Sequence, residues 1–460
     1  MNHLSKPVND LGRDRVGPLL IRLALPAIAA QLINALYNIV DRIYIGHIPE
    51  VGDLALTGLG LCFPIIMFIS AMAALVGVGG GSRTSILMGD GDMDGANEIL
   101  GNCAALMLLI SGGSTLLFQL VKEPMLYLFG ASANTIDYAV SYLGIYLWGS
   151  VFVQIALGMN NFITIQGFST ISMATVLVGA VVNIVLDPVF IFGLNMGVRG
   201  AALATVLAQC VSAVWVTAFL LGKRTKLKLQ RRFFRLKSSV ILPVAALGVS
   251  PFIMQSTESL VTVSFTSSLY RYGGDPAVGA MTICASVMQV LSMVFMGLAQ
   301  GTQPVVGFNY GAGKIERVKQ AFRILLVSSL VYAVCVWGLV MLFPQVFVGL
   351  FNNKPELVEI TTWALRIYLA GFFLFSVQFS CQQTFVALGQ ARISLFLALL
   401  RKIILLIPLI FILPRIMTDK VFAVFLAEPV ADVLAATITG IAFFIRFPKI
   451  LNAKPDRSSQ

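Results

Sequence analysis

The sequence predicts an all-α integral membrane protein, with twelve transmembrane helices in two six-helix lobes related by a pseudo-two-fold axis along the membrane normal. Composition is the first reason: of 460 residues 58% are hydrophobic and 12% charged, against about a quarter charged in a soluble domain. Segmentation is the second. Apolar stretches run at roughly 17–45, 54–79, 96–121, 137–158, 169–193, 199–221, 239–270, 278–305, 319–343, 357–387, 393–414 and 420–446, each near the roughly 20 residues a bilayer core requires. The third is an internal repeat. Gly89-Asp90-Gly91-Asp92 recurs as Gly311-Ala312-Gly313-Lys314, Leu128-Phe129 as Leu350-Phe351, Ile145 to Gly149 as Ile367 to Gly371, and Asn160-Asn161 before Gly167 as Gln382-Gln383 before Gly389. All share one offset of 222 residues. Six spans per half is an even number, so the halves share an orientation and a site is expected between or within them, near mid-membrane.

Taken in order, residues 1–16 are a polar N-terminal segment, and the long apolar run after it reads as an uncleaved first span rather than a signal peptide. Residues 17–221 form the first lobe, 222–238 a basic linker, 239–446 the second lobe and 447–460 a tail. The linker carries Lys223, Arg224, Lys226, Lys228, Arg231, Arg232, Arg235 and Lys237. Placing it in the cytoplasm also puts both termini and the loops 83–95 and 307–318 there, which gathers most of the 32 basic residues on one side, as the positive-inside rule requires. A topology-setting linker is the expected role, with binding to anionic lipid as the alternative.

Several classes are excluded. The six cysteines stand singly within apolar segments, which reads as reduced core residues rather than a disulfide framework. With His3 and His47 as the only histidines, a zinc site has no ligand set. The +11 formal charge sits in loops between spans, so topology explains it and nucleic-acid binding does not. Gly307 to Gly313-Lys314-Ile315 misses a P-loop by one residue in spacing and by Ile where Ser or Thr is needed. No nucleophile and base fall at recognisable spacing, so no enzyme and no cofactor are expected.

Two polar stripes interrupt the apolar pattern of the first half. Asn183 and Asp187 lie four apart inside the run Ile171 to Leu194, on one helical face, and Pro188 leaves the carbonyl of Ile184 without its helical donor. A charge at that depth costs about 2.5–3.5 kcal/mol by insertion scales, so it is expected to face a bundle interior or a wet cavity; a packing pair is the competing reading. In the first span Gln31, Asn34, Asn38 and Asp41, with Tyr37 beside them, recur at steps of three and four on an inward face. Pro26 is expected to kink that helix. A local pair between Asp41 and Arg42 at the membrane interface is the alternative there.

Leu25-Pro26, then Val40-Asp41-Arg42-Ile43-Tyr44-Ile45-Gly46, then Asn183-x-x-Leu186-Asp187-Pro188, then Gly197-x-x-Gly200-Ala201-Ala202-x-Ala204-Thr205 together resemble the multidrug and toxic compound extrusion (MATE) transporters, in particular their bacterial DinF and MepA-like branch. The resemblance spans both halves. It implies a bacterial cytoplasmic membrane and an N-terminal proton- or sodium-binding cluster on Asp41, Asn183, Asp187 and Thr205. The chemistry agrees: two carboxylates in one dry pocket cannot easily both stay ionised, so a proton is held there unless a cation replaces it. Sodium would take the oxygens of Asp41, Asn183 and Asp187, and no other metal is expected.

In the second half Gln255, Glu258, Thr262 and Thr266 follow Pro251 at helical steps, and Glu428 and Asp432 flank Pro429 in the last span. These, with Gln154, Asn160, Asn161, Gln289, Gln300, Gln303, Gln378, Gln382 and Gln383, are candidate cavity groups, set among 17 Met and 32 Phe that suit adaptable apolar walls. The mid-span charges read as mainly acidic. The expected activity is monomeric, secondary antiport of amphipathic, mostly cationic small molecules against H⁺ or Na⁺ by alternating access. A flippase for lipid-linked saccharides is the alternative, and it would call for intramembrane Arg or Lys to meet an anionic substrate.

Overall fold

The computed structural model describes residues 9–349, 351 and 355–453, which form helices and turns with no strand among them. The elements are α1 (Val16–Gly46), α2 (Gly52–Asp90), α3 (Met93–Leu128), α4 (Ile136–Thr164), α5 (Ser169–Pro188) running into a π turn (Val189–Gly193), and α6 (Val198–Leu221). The second half holds α7 (Ser238–Gly311), α8 (Ile315–Leu342), α9 (Pro344–Gly349), α10 (Pro355–Tyr368), α11 (Phe372–Ala387), α12 (Ala391–Leu399) with a π turn (Leu400–Leu406), α13 (Ile407–Ile416) and α14 (Lys420–Asn452). Ten of these stretches are long and apolar enough to cross a membrane. Two further spans come from the bent pair α10 and α11, which meet at 46°, and from α7, which is two spans joined at Gly274. There the backbone takes φ 64° and ψ −161°, a conformation that glycine alone adopts without strain. Twelve spans result, as the sequence predicts.

The repeat is visible in the helix starts. Met93 and Ile315, Ser169 and Ala391, and Val198 and Lys420 open corresponding helices, each pair separated by 222 residues. The turns correspond too: Gly91 and Gly313, and Gly167 and Gly389, all have positive φ. Asp92 caps α3 by accepting from the Gly95 amide at 2.8 Å, and Asp419 caps α14 by accepting from Phe422 at 3.0 Å, each satisfying a free first-turn donor.

The segments 83–95 and 307–318, expected as loops, are helical as far as Asp90 and Gly311. The reason is packing. At this end α2 meets both arms of α7 backbone to backbone: a Cβ on Gly248 would stand 1.8 Å from the Leu75 carbonyl oxygen, and one on Gly311 1.9 Å from that of Ile86. Glycine permits that approach, and it seals the end of the molecule that carries the linker. The expected tail likewise begins as helix, since α14 runs on to Asn452.

Helix α1 joins the two halves. Leu19 and Leu23 in its first turns pack with Val305, Phe385 and Phe443 of the second half. Ile45 at its far end packs with Ile65, Tyr142 and Ala201 of the first. The segment before it straddles the same boundary: Asn9 donates to the Gly167 carbonyl at 3.1 Å, while Arg317 donates to the carbonyls of Leu11 at 3.0 Å and Asp14 at 2.7 Å. Nor is the basic linker a loose tether. Gln166 Oε1 accepts from the Lys226 and Leu227 amides at 2.8 and 3.0 Å, and Asn97 and Asn102 each accept a linker amide at 2.8 Å.

Candidate ion and substrate sites

Three helices bring the first-half polar residues together. Asp41 comes from α1, Asn183 and Asp187 from α5, and Thr205 from α6; the first three are buried. Asn183 Nδ2 donates to Asp187 Oδ1 at 3.3 Å and to Thr205 Oγ1 at 3.5 Å, so the four-residue spacing does place amide and carboxylate one above the other. The carboxyls of Asp41 and Asp187 are electrostatic neighbours in this pocket. Arg42 turns its guanidinium over the Phe63 ring, 5.8 Å from the centroid.

Local chain geometry sets up this meeting. Past Pro188 the helix widens into a π turn closed by the Leu194 amide on the Val189 carbonyl at 2.8 Å, the kind of local widening that often marks functional positions. Gly197 then takes φ 54° and ψ −131°, open only to glycine. At Gly200 a Cβ would lie 2.7 Å from the carbonyl carbon of Phe190, so α6 starts directly against the π turn and carries Thr205 beside Asn183.

Three acceptor oxygens in the cluster, Asp41 Oδ1, Asn183 Oδ1 and Asp187 Oδ2, are buried and have no hydrogen-bond partner. Orphaned acceptors at one buried spot are costly unless a proton or a cation meets them. Two facing carboxyls also repel unless they share a proton. The sequence reading missed Tyr142 of α4, which stands beside Thr205 and Asp41, while the candidate Tyr37 stands beside Asp41 and Gln209. Tyr142 stacks on Tyr146, with centroids 6.2 Å apart; the four-residue spacing of two tyrosines was the available signal.

Candidate cavity residues divide into two groups. Asn38 on α1 and Glu258, Thr262 and Thr266 on α7 are exposed, with Gln31, Asn34 and Gln255 half-buried. Polar groups exposed on membrane-crossing helices are expected to face water rather than lipid. A ring contact between Phe68 of α2 and Phe252 of α7, 5.7 Å between centroids, lies between those stripes and the sealed end. Gln154, Asn160 and Gln378 form the second group, set within the helix packing of each half. Gln154 is buried and donates to Ser114 at 3.3 Å, Asn160 to the Ser172 carbonyl at 3.2 Å, and the buried Gln378 to Gln382 at 2.7 Å. Each donates to a neighbour within its own half, while Gln154 Oε1 and Asn160 Oδ1 are left buried with no hydrogen-bond partner.

Asp432 is buried in an ion pair, and two mid-span bases, Arg401 and Lys402, stand among the more numerous acids. Arg401, in the π turn after α12, is buried with Glu428 and Asp432. Its Nη2 reaches Glu428 Oε1 at 2.7 Å, and its Nε reaches Asp432 Oδ1 at 2.8 Å. Phe375 covers the guanidinium, 4.5 Å from the ring centroid. The next residue, Lys402, pairs with Glu258 and donates to the Met254 carbonyl at 2.9 Å. Two adjacent basic residues inside the apolar run 393–414 were the signal, which the charge count had assigned to topology. The repeat does not carry these side chains over: at the offset of 222, Asn183 and Asp187 correspond to Leu405 and Leu409. The carboxylate pair is therefore a feature of the first half, and the basic residues of the second.

The family model MatE matches residues 26–189 and 251–412, which takes in both polar stripes, Asn183, Asp187 and Arg401. The chain belongs to the MatE family. It is 26% identical to the multidrug export protein MepA of Staphylococcus haemolyticus, over 91% of this chain and 92% of that one. Its fold is similar to a crystal structure of MATE in the bent conformation, with a TM-score of 0.90, 24% identity, and coverage of 97% of this chain and 98% of that chain. It is equally similar to an outward-facing multidrug resistance MATE transporter of the MOP superfamily, with a TM-score of 0.89, 24% identity, and coverage of 98% and 99%. Family and helices together make this MatE chain a multi-pass membrane protein.

Proposed function

We propose that the chain is a monomeric secondary antiporter of a bacterial cytoplasmic membrane. It exports amphipathic, mostly cationic compounds in exchange for H⁺ or Na⁺ by alternating access, and needs no cofactor. The observation that carries this reading is the set of orphaned oxygens where Asp41 faces Asp187. A lone proton completes the pair directly, because a protonated carboxyl donates to the one opposite. Na⁺ instead takes Asp41 Oδ1, Asp187 Oδ2 and Asn183 Oδ1 as hard-oxygen ligands. The name of the MepA relative supports drug export, and the wet polar stripes on α1 and α7 offer the substrate a path between the lobes 17–221 and 239–446.

Helix α1 supplies the coupling. Asp41 at one end belongs to the ion cluster, while Leu19 and Leu23 at the other are locked into the second half. Loading or emptying the carboxyl pair therefore changes the seating of a helix that both lobes share, which biases one state over the other. The sealed end carries the linker and both described termini, and their basic residues support a cytoplasmic side for it; the wet stripes then open outward. For a flippase of anionic saccharides, Arg401 and Lys402 are the only described mid-span bases to offer, and both are already held by carboxylates.

Purified protein in liposomes, with proton and sodium gradients imposed separately, tests the proposal. Uptake of a cationic dye against either gradient is expected. Dye movement that ignores both gradients defeats it.

A further inference from the structure

The ion pair between Glu258 and Lys402 has no place in the coupling chemistry of the first half. Glu258 belongs to the polar stripe of α7, and its side chain is 65% exposed. Lys402 reaches it from the neighbouring span with a side chain only 12% exposed, and its ammonium is also held by the Met254 carbonyl at 2.9 Å. The carboxylate thus stands at the wet wall and the lysine stands behind it. Deeper in the same lobe, Arg401 is taken up by Glu428 and Asp432, so it is not available to Glu258. Lys402 is the basic group that answers the exposed acid.

We propose that Lys402 is a specificity-determining residue. Its ammonium is a tethered stand-in for a substrate cation at Glu258, and it sets how strongly the cavity prefers positive charge. An amphipathic ammonium or phosphonium enters by displacing Lys402 from Glu258. The lysine then keeps its bond to the Met254 carbonyl, so it stays in place and returns when the substrate leaves. Neutral amphipaths bind against the same apolar walls without disturbing the pair. Cation affinity is thereby held below what a free carboxylate would give, which favours release on the outer side. This inference rests on the proposed export of amphipathic cations and names the residue that tunes it.

The test is equilibrium binding to the full-length protein in detergent, with ethidium as the monovalent cation and a neutral dye of similar size as the control. K402Q removes the charge while keeping a donor for the Met254 carbonyl. It is expected to tighten ethidium on the order of tenfold, the scale of one unit charge about 4 Å away in a water-filled space, and to leave the neutral dye unchanged. The double variant K402Q/E258Q should lose that gain while eluting as a single species. If wild-type protein binds neither dye, the export reading and this inference fall together. If it binds both, and K402Q shifts them equally, weakens ethidium, or gives a gain that survives E258Q, then Lys402 does not set specificity and the export reading stands.

Discussion

Arg401 holds Asp432 through Nε at 2.8 Å, with both side chains buried inside the second half of the protein. Glu428 shares the same guanidinium at 2.7 Å. A buried pair adds little net stability relative to apolar packing, but removing one partner leaves a charge with nothing to meet it. Arg401→Met is therefore expected to destabilise the protein by about 3–5 kcal/mol. The triple variant R401M/E428Q/D432N should recover most of the loss. Thermal unfolding followed by size-exclusion chromatography measures both, and an R401M protein as stable as wild type would refute the account.

Asp41 and Asp187 should behave as one unit. Asp187→Asn keeps volume but removes a charge, and is expected to abolish coupled export with normal membrane levels. Asp41→Asn should do the same, and the double variant should cost little more than either single one, because both act on one pocket. Substrate-induced proton release in detergent reports this directly. Full release from both single variants would remove the pair from the coupling step. Asn183→Ala should weaken ion binding less than either, since an uncharged ligand contributes less than a carboxylate.

The sealed end should open when its backbone contacts are wedged apart. A methyl group at Gly248 has no room beside the Leu75 carbonyl, 1.8 Å from the Cβ position, and Arg317→Ala removes the two bonds that tie Leu11 and Asp14 to the second half. Gly248→Ala and Arg317→Ala are each expected to raise labelling of a cysteine at Gly12 by a polar maleimide severalfold. Unchanged labelling in both would show that these contacts do not hold the end shut.

Topology has its own test. A cysteine replacing Lys228 in the linker should react only from the cytoplasmic side, and one replacing Glu50, between α1 and α2, only from outside. Reaction of both from one side would overturn the orientation.

Much of this was legible in the chain itself. Hydropathy fixes the spans because a bilayer leaves no other way to satisfy the backbone, and the offset of 222 residues fixes the two halves because each turn needs its glycine at the same place, as Gly91 and Gly313 show. The Asn183 and Asp187 pair was readable for a similar reason: four residues on one helix are neighbours by geometry alone. Contacts between helices were not readable. Only the resemblance put Asp41 with Asp187; that Tyr142 meets Thr205 and that Arg401 and Lys402 pair with acids on other helices depend on how α4, α6, α7, α12 and α14 are rotated and seated. Periodicity reports which residues share a face but not what that face meets. Only tertiary packing decides whether a mid-membrane charge stands free in a wet cavity or is already paired, because the same burial that makes a lone charge costly selects the partner that removes the cost.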